Sequence, residues 1–230
     1  MGIGELKRRG RENFIKNYWL AVAASLILAV MMTDIADYNI FGNRGVVISV
    51  LWTDIWIPSE MRVSLWRIVI RYILYIFVFS VIEVGGALFF IRNREEKAKP
   101  GLVFFGFAEG RYKKIMKSMF FVKLELFFWT LLLVIPGIIK SYAFRLVPYI
   151  LAENPDMKYD EVLSVSETMM QGHKWRAFLL DLSFLGWRIL AMVTFGLVGM
   201  FYAGPYMDAA NAELYAERKA EWDSKYKDTV

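Results

Sequence analysis

Asp181 stands inside an apolar stretch, with Arg188 seven residues further on and so on the same helical face. Charged side chains at membrane depth cost about 2.5–3.5 kcal/mol each on insertion scales, so each one present needs a reason. It either handles a proton or an ion, or it locks two helices together. Arg145 and Lys140, in a neighbouring apolar run, are the expected partners of Asp181. Asp208 and Asn211 lie three residues apart with Tyr215 one turn beyond, and are expected to share an inward face. Glu83, followed by Gly85-Gly86, is too short to snorkel and is expected to bridge locally to Lys123 near Glu125.

Other chemistry is excluded by residue type. The 230 residues contain no cysteine, which removes disulfides, thiolate metal sites and cysteine nucleophiles. The one histidine, His173, cannot make a multi-histidine metal site and reads as an interfacial anchor. No phosphate-binding loop, GxSxG elbow or pair of carboxylates at a useful spacing occurs. An enzyme is therefore not expected, nor a cofactor, a metal or a catalytic residue.

The elements that must position these charges are membrane helices. Hydrophobic residues make up 57% of the chain and aromatic ones 17%, above the roughly 45–50% apolar content of soluble domains. Runs of about 17–25 apolar residues match a bilayer core of about 30 Å. The fold class is thus all-α, a single bundle over 1–230 with about six membrane-embedded helices. Their expected ranges are 18–36, 65–91, 119–135, 138–151, 174–193 and 197–215.

Residues 1–17 form a basic amphipathic leader, with Ile3, Leu6 and Phe14 against the bilayer and Lys7, Arg8, Arg9, Arg11 and Lys16 toward anionic headgroups. It is not a secretory signal, because no small-residue cleavage site follows the apolar stretch from Trp19 to Met32. Loop 37–64, with Trp52 and Trp56, reads as an outer interfacial segment. Segment 92–117 is the most basic, carrying Arg92, Arg94, Lys97, Lys99, Arg111, Lys113, Lys114 and Lys117. Lysine and arginine in short loops mark the cytoplasmic side, which places both termini inside.

Arg67 and Arg71 can snorkel at the outer end of the second helix. Pro136-Gly137 is expected to turn the chain, leaving 138–151 a short helix of about 21 Å that is re-entrant or sits in a thinned bilayer. Segment 152–173 reads as a cytoplasmic amphipathic helix ending at Gly172. Pro148-Tyr149 and Pro205-Tyr206 close two hairpins that echo each other. Small residues at Ala21, Ser25 and Ala29, and at Gly196, Gly199 and Ala203, allow close helix approach and leave open a homo-oligomer or a membrane-protein partner.

The segments PGIIKSYAFRLVPYILAEN (136–154), SETMMQGHKW (166–175) and DLSFLGW (181–187), with LKRRGRENFIKNYW and FFGFAEGRYKK earlier, carry a resemblance. Together they resemble an uncharacterised family of bacterial integral membrane proteins, domain of unknown function 975. The resemblance implies a multi-helix membrane protein and brings no activity, cofactor or functional residue with it.

Two main readings follow for a multi-pass protein of the cell membrane. The first is a non-enzymatic binding, helper or regulatory unit in which buried polar residues serve packing. The second is a small transporter or permeation unit using Asp181, Asp208, Arg145 and Glu83. A lipid-directed enzyme is the least favoured. Membrane lipids are the expected partners. Nucleic acid is not, since the +5 net charge flanks apolar runs and forms no separate basic domain.

Overall fold

The structure, a computed structural model, describes residues 2–32, 74–108 and 110–226. Every regular element among them is helical. In chain order they are α1 (Ile3–Lys16), α2 (Tyr18–Met32), α3 (Ser80–Glu95, entered through a π turn at Tyr75–Phe79) and a 3₁₀ helix (Pro100–Phe107). There follow α4 (Tyr112–Leu132), α5 (Val134–Ala143), α6 (Val147–Glu153), α7 (Tyr159–Met170), α8 (Lys174–Ser183), α9 (Leu185–Val193), a π turn (Gly199–Ala203) and α10 (Gly204–Tyr226). The outer loop 37–64, Arg67 and Arg71 lie outside the described residues. Two stretches among the described residues, Ile76–Glu95 and Val134–Glu153, are long and apolar enough to cross a membrane.

The first correction concerns the leader. Leu6 and Phe14 are fully buried in the protein core, so this face of α1 packs on the chain itself and not on lipid. Its partner is α10, where Gly10 packs on Ala210, and the Phe14 ring is edge-on to Tyr202 of the preceding π turn at 5.5 Å.

The basic segment 92–117 also differs from a plain loop. Helix α3 runs on to Glu95 because Asn93 is held at both ends: it accepts from Asn17 Nδ2 at 2.6 Å and donates to the Asn13 carbonyl at 2.9 Å. The 3₁₀ helix folds back on α3, with Gly106 against Val81. Helix α4 then begins at Tyr112, seven residues before the expected start, two residues after Gly110 at φ +80°. Gly172, at φ +76°, stands two residues before α8 in the same way. Both glycines turn the chain through left-handed backbone that other residues resist.

The chain does not turn at Pro136-Gly137. It breaks at Leu133, with φ −157° and ψ 132°, between α4 and α5. Pro136 falls in the first turn of α5, where its missing N–H has no helical acceptor to lose. Gly137 is needed for closeness: a β-carbon there would stand 2.7 Å from Thr130 Cα on the other arm.

The second arm is longer than the 138–151 expected, running 20 residues from Val134 to Glu153 with an interruption at 144–146. Pro148 causes it, because the Phe144 carbonyl has no N–H four residues on and accepts from Val147 at 3.1 Å instead. The Ala143 carbonyl, also released, accepts from Ser166 Oγ at 2.7 Å. Pro205 acts likewise in the later hairpin. The Phe201 carbonyl it leaves free accepts from the Tyr18 hydroxyl at 3.1 Å, beside the π turn. Helix α10 then continues to Tyr226, well past the expected end at 215.

Candidate functional site

Three of the candidate residues, Arg145, Asp181 and Asn211, meet where the interruption at 144–146 faces α8 and α10. Arg145 grips Asp181 with both terminal nitrogens, Nη1 to Oδ2 at 2.7 Å and Nη2 to Oδ1 at 2.6 Å. Its Nη2 also donates to Asn211 Oδ1 at 2.7 Å, and the Tyr142 hydroxyl donates to Asp181 Oδ2 at 3.0 Å. The planar guanidinium fork matches a carboxylate face to face, which makes this the strongest kind of ion pair. Asp181 of α8 therefore pairs with Arg145, one of its two expected partners, while Arg188 lies beyond the break at Phe184, on α9.

Arg145–Asn211 begins a register. One turn on, Tyr149 stacks on Tyr215 at 5.3 Å, and a further turn on, Glu153 accepts from Lys219 and from the Tyr215 hydroxyl. Successive residues of one arm thus meet successive residues of α10 in the same sense. The Val134–Glu153 arm and α10 run parallel.

Asp208 and Asn211, three residues apart, serve different neighbours. Asn211 serves Arg145, whereas Asp208 Oδ2 accepts from Ser25 Oγ of α2 at 2.6 Å. Lys140 does not reach Asp181. It forms an ion pair with Glu167 of α7, and its ammonium lies 5.2 Å from the Trp129 ring centre and 5.3 Å from that of Phe144. Glu83 bridges to Lys123 of α4 at 3.1 Å.

Sequence reasoning missed Glu213, Arg176 and Glu217. Glu213 is almost wholly buried and accepts from Arg94 Nε and Asn13 Nδ2, both at 2.7 Å. Arg176 makes a two-pronged bond to Glu217, at 3.0 and 2.7 Å. The signal for both acids was their place on the apolar ANAELYAE stretch, which reads as the fading end of a membrane helix. His173 lies 3.7 Å from Glu221, and burial, helped by nearby Arg218, lowers its pKa below the ordinary imidazole value.

Cavities open on the described surface. One of about 260 Å³ is lined by Arg9, Glu12, Asn13, Arg94, Glu95 and Glu213, and one of about 400 Å³ by Phe121, Leu124, Glu125, Phe128, Trp129, Leu132 and Tyr159. Neither is lined by Asp181 or Asp208. Among the described residues no cluster of three histidine or carboxylate side chains forms a metal site.

A family model described as "Protein of unknown function (DUF975)" matches residues 46–221. No curated protein and no solved structure matches the chain.

Proposed function

The chain belongs to the DUF975 family, whose description carries no activity, and from the geometry we propose that it is a non-enzymatic, multi-pass protein of the cell membrane. It serves as a binding, helper or regulatory unit whose inward polar residues fix helix packing. One contrast carries this reading: the candidate polar residues Arg145, Asp181, Asn211, Glu83, Lys140 and Asp208 each have a partner, while the hairpin ends are bare and apolar. Leu132 is 72% exposed at one end and Phe195 93% at the other, each within a continuous apolar surface. Contiguous exposed apolar patches of that kind mark contact with a membrane or a partner. Inside, Asp181 has both oxygens bonded, so it serves as a rivet between helices.

The finer arrangement has about six membrane-embedded helices with both termini on the cytoplasmic side, as the lysine and arginine bias supports. Anionic lipid headgroups are the partners of its basic segments. A second reading, a small transporter, draws on Asp208, a carboxylate on α10 that takes its hydrogen bond from a hydroxyl, Ser25, and not from a cation.

One experiment separates the two. Asp181→Asn and Asp208→Asn are purified, floated with lipid vesicles, and compared in thermal unfolding and ion flux. The packing reading expects Asp181→Asn to lower stability with no flux in either variant or in the parent. Proton or ion flux in the parent that Asp208→Asn abolishes, with the fold intact, would replace it by the transport reading.

A further inference from the structure

The two hairpins that present bare apolar ends are α4 to α6 and α8 to α10, with their apices at Leu133 and at Phe195-Gly196. The parallel register fixes their relative direction. Arg145 lies twelve residues below the first apex and Asn211 sixteen below the second, so both apices project the same way, about 18 and 24 Å beyond that shared bond.

A polar helix flanks each hairpin part of the way up. Along the first runs α7, with Tyr159 stacked on Phe121 at 4.7 Å, Ser166 bonded to the Ala143 carbonyl and Glu167 paired with Lys140. Its outer side, at Asp160, Glu161, Ser164 and Thr168, is exposed and polar. Along the second runs α1, with Lys7 donating to the Ser183 carbonyl at 3.0 Å and Phe14 against Tyr202. Its outer side is exposed and charged, at Arg8, Arg9, Arg11 and Glu12.

Above these flanking helices the charge-free length is short. Lys140 stands seven residues from Leu133 and Arg188 seven from Phe195, about 10 Å of helix in each case, while Glu125 is about 12 Å below the first apex. One leaflet of hydrocarbon is about 15 Å deep, half the core of about 30 Å. The bare ends match one leaflet. Crossing both would carry the Lys140–Glu167 pair and the water-facing sides of α7 and α1 into hydrocarbon.

The second apex adds an independent observation. Phe195 has φ 50°, the left-handed region, which strains any side chain with a β-carbon and suits glycine or asparagine. A large aromatic ring held there, 93% exposed, is placed to meet something apolar beyond the protein.

We infer that these two hairpins are re-entrant wedges: their apices sit in the acyl chains of the cytoplasmic leaflet, and α1 and α7 lie at its headgroup surface. The inference rests on the membrane reading above and names the lipid layer that the site contacts. The lack of cysteine makes the test direct. Single-cysteine variants Ile135→Cys, Phe195→Cys and, as the exposed control, Lys158→Cys are reconstituted into phosphatidylcholine and phosphatidylglycerol vesicles. Leu132→Cys replaces Ile135→Cys if the latter folds poorly.

The expected result is that a membrane-impermeant maleimide labels Lys158→Cys from one side. The apical cysteines should lose that labelling from both sides, and spin labels on them should be open to oxygen and closed to a water-soluble nickel relaxant. Labelling of an apical cysteine from the side opposite Lys158→Cys means full crossing and overturns the inference. Apical labelling from the same side, or spin labels closed to both relaxants because protein covers them, overturns it as well. Failure to float with the vesicles is a separate result, and it removes the membrane reading itself.

Discussion

Gly10 of α1 meets Ala210 of α10 backbone to backbone: a β-carbon on the glycine would stand 2.8 Å from the Ala210 Cα. Nothing flexible lies between them to yield. Gly10→Leu should therefore push α1 off α10, at a cost near the upper end of the about 1–3 kcal/mol usual for overpacking. Thermal unfolding in detergent checks it, together with faster tryptic cleavage at Arg8 and Arg9. Gly4→Leu is the control, since nothing lies within 4 Å of that position. Equal effects from both would sink the argument.

A second close approach holds the 3₁₀ helix on α3. The β-carbon of an alanine at position 85 would lie 1.9 Å from the Val103 carbonyl oxygen. Gly85→Ala is expected to lift residues 100–107 away and speed cleavage at the exposed Lys97 and Lys99. Gly101→Ala, in open space, should leave the digestion rate unchanged.

The Arg145–Asp181 pair should behave as a coupled unit. Removing one partner of a buried pair costs about 3–5 kcal/mol because the other charge is stranded. With both side chains about a fifth exposed, at 17% and 22%, the lower end is expected. Arg145→Met and Asp181→Leu should each destabilise strongly, and the double variant should recover much of the loss. Additive losses in the cycle would show that the two residues act separately.

Glu217 sets a pH dependence outside the membrane helices. Burial pushes its carboxyl up, but the two hydrogen bonds from Arg176 outweigh that and hold it at about 2. The folded value lies below that of an unfolded glutamate, about 4.3. The stabilisation is complete above that value and is lost as pH falls toward and through about 2. Thermal unfolding should therefore decline between about pH 5 and 3, and Glu217→Gln should flatten the slope. An unchanged slope in Glu217→Gln rules out this pair as the source.

Helicity and the places where charge interrupts apolar runs could be read from residue order, because both depend on local composition. Partners could be read only in part. Arg145 was one of two cations expected for Asp181 and Lys123 the one expected for Glu83, and both pairs form, but Lys140 goes to Glu167 instead, and the interruption that Pro148 causes, which seats Arg145, was not legible. Leu6 and Phe14 carry the periodicity of a lipid-facing stripe, and the same periodicity serves a protein-facing one. Only the closeness of Gly10 to Ala210 tells them apart, and that depends on a residue 200 positions away. Pro136-Gly137 looked like a turn because proline and glycine often make one. Here one was absorbed by a first helical turn and the other by a tight helix contact.

The interruption at 144–146 divides the arm below the first apex into an outer rod, α5, and an inner rod, α6. Pro148 denies that joint a backbone bond, and the residue seated in it, Arg145, is bolted sideways to Asp181 and Asn211. Tilt of the outer rod is thus geared to the neighbouring hairpin, which must follow it or break the bolt. The Tyr142–Asp181 bond and the Tyr149–Tyr215 stack join the same two hairpins on either side of the Arg145 guanidinium, so the hinge at 144–146 is braced from both of its rods.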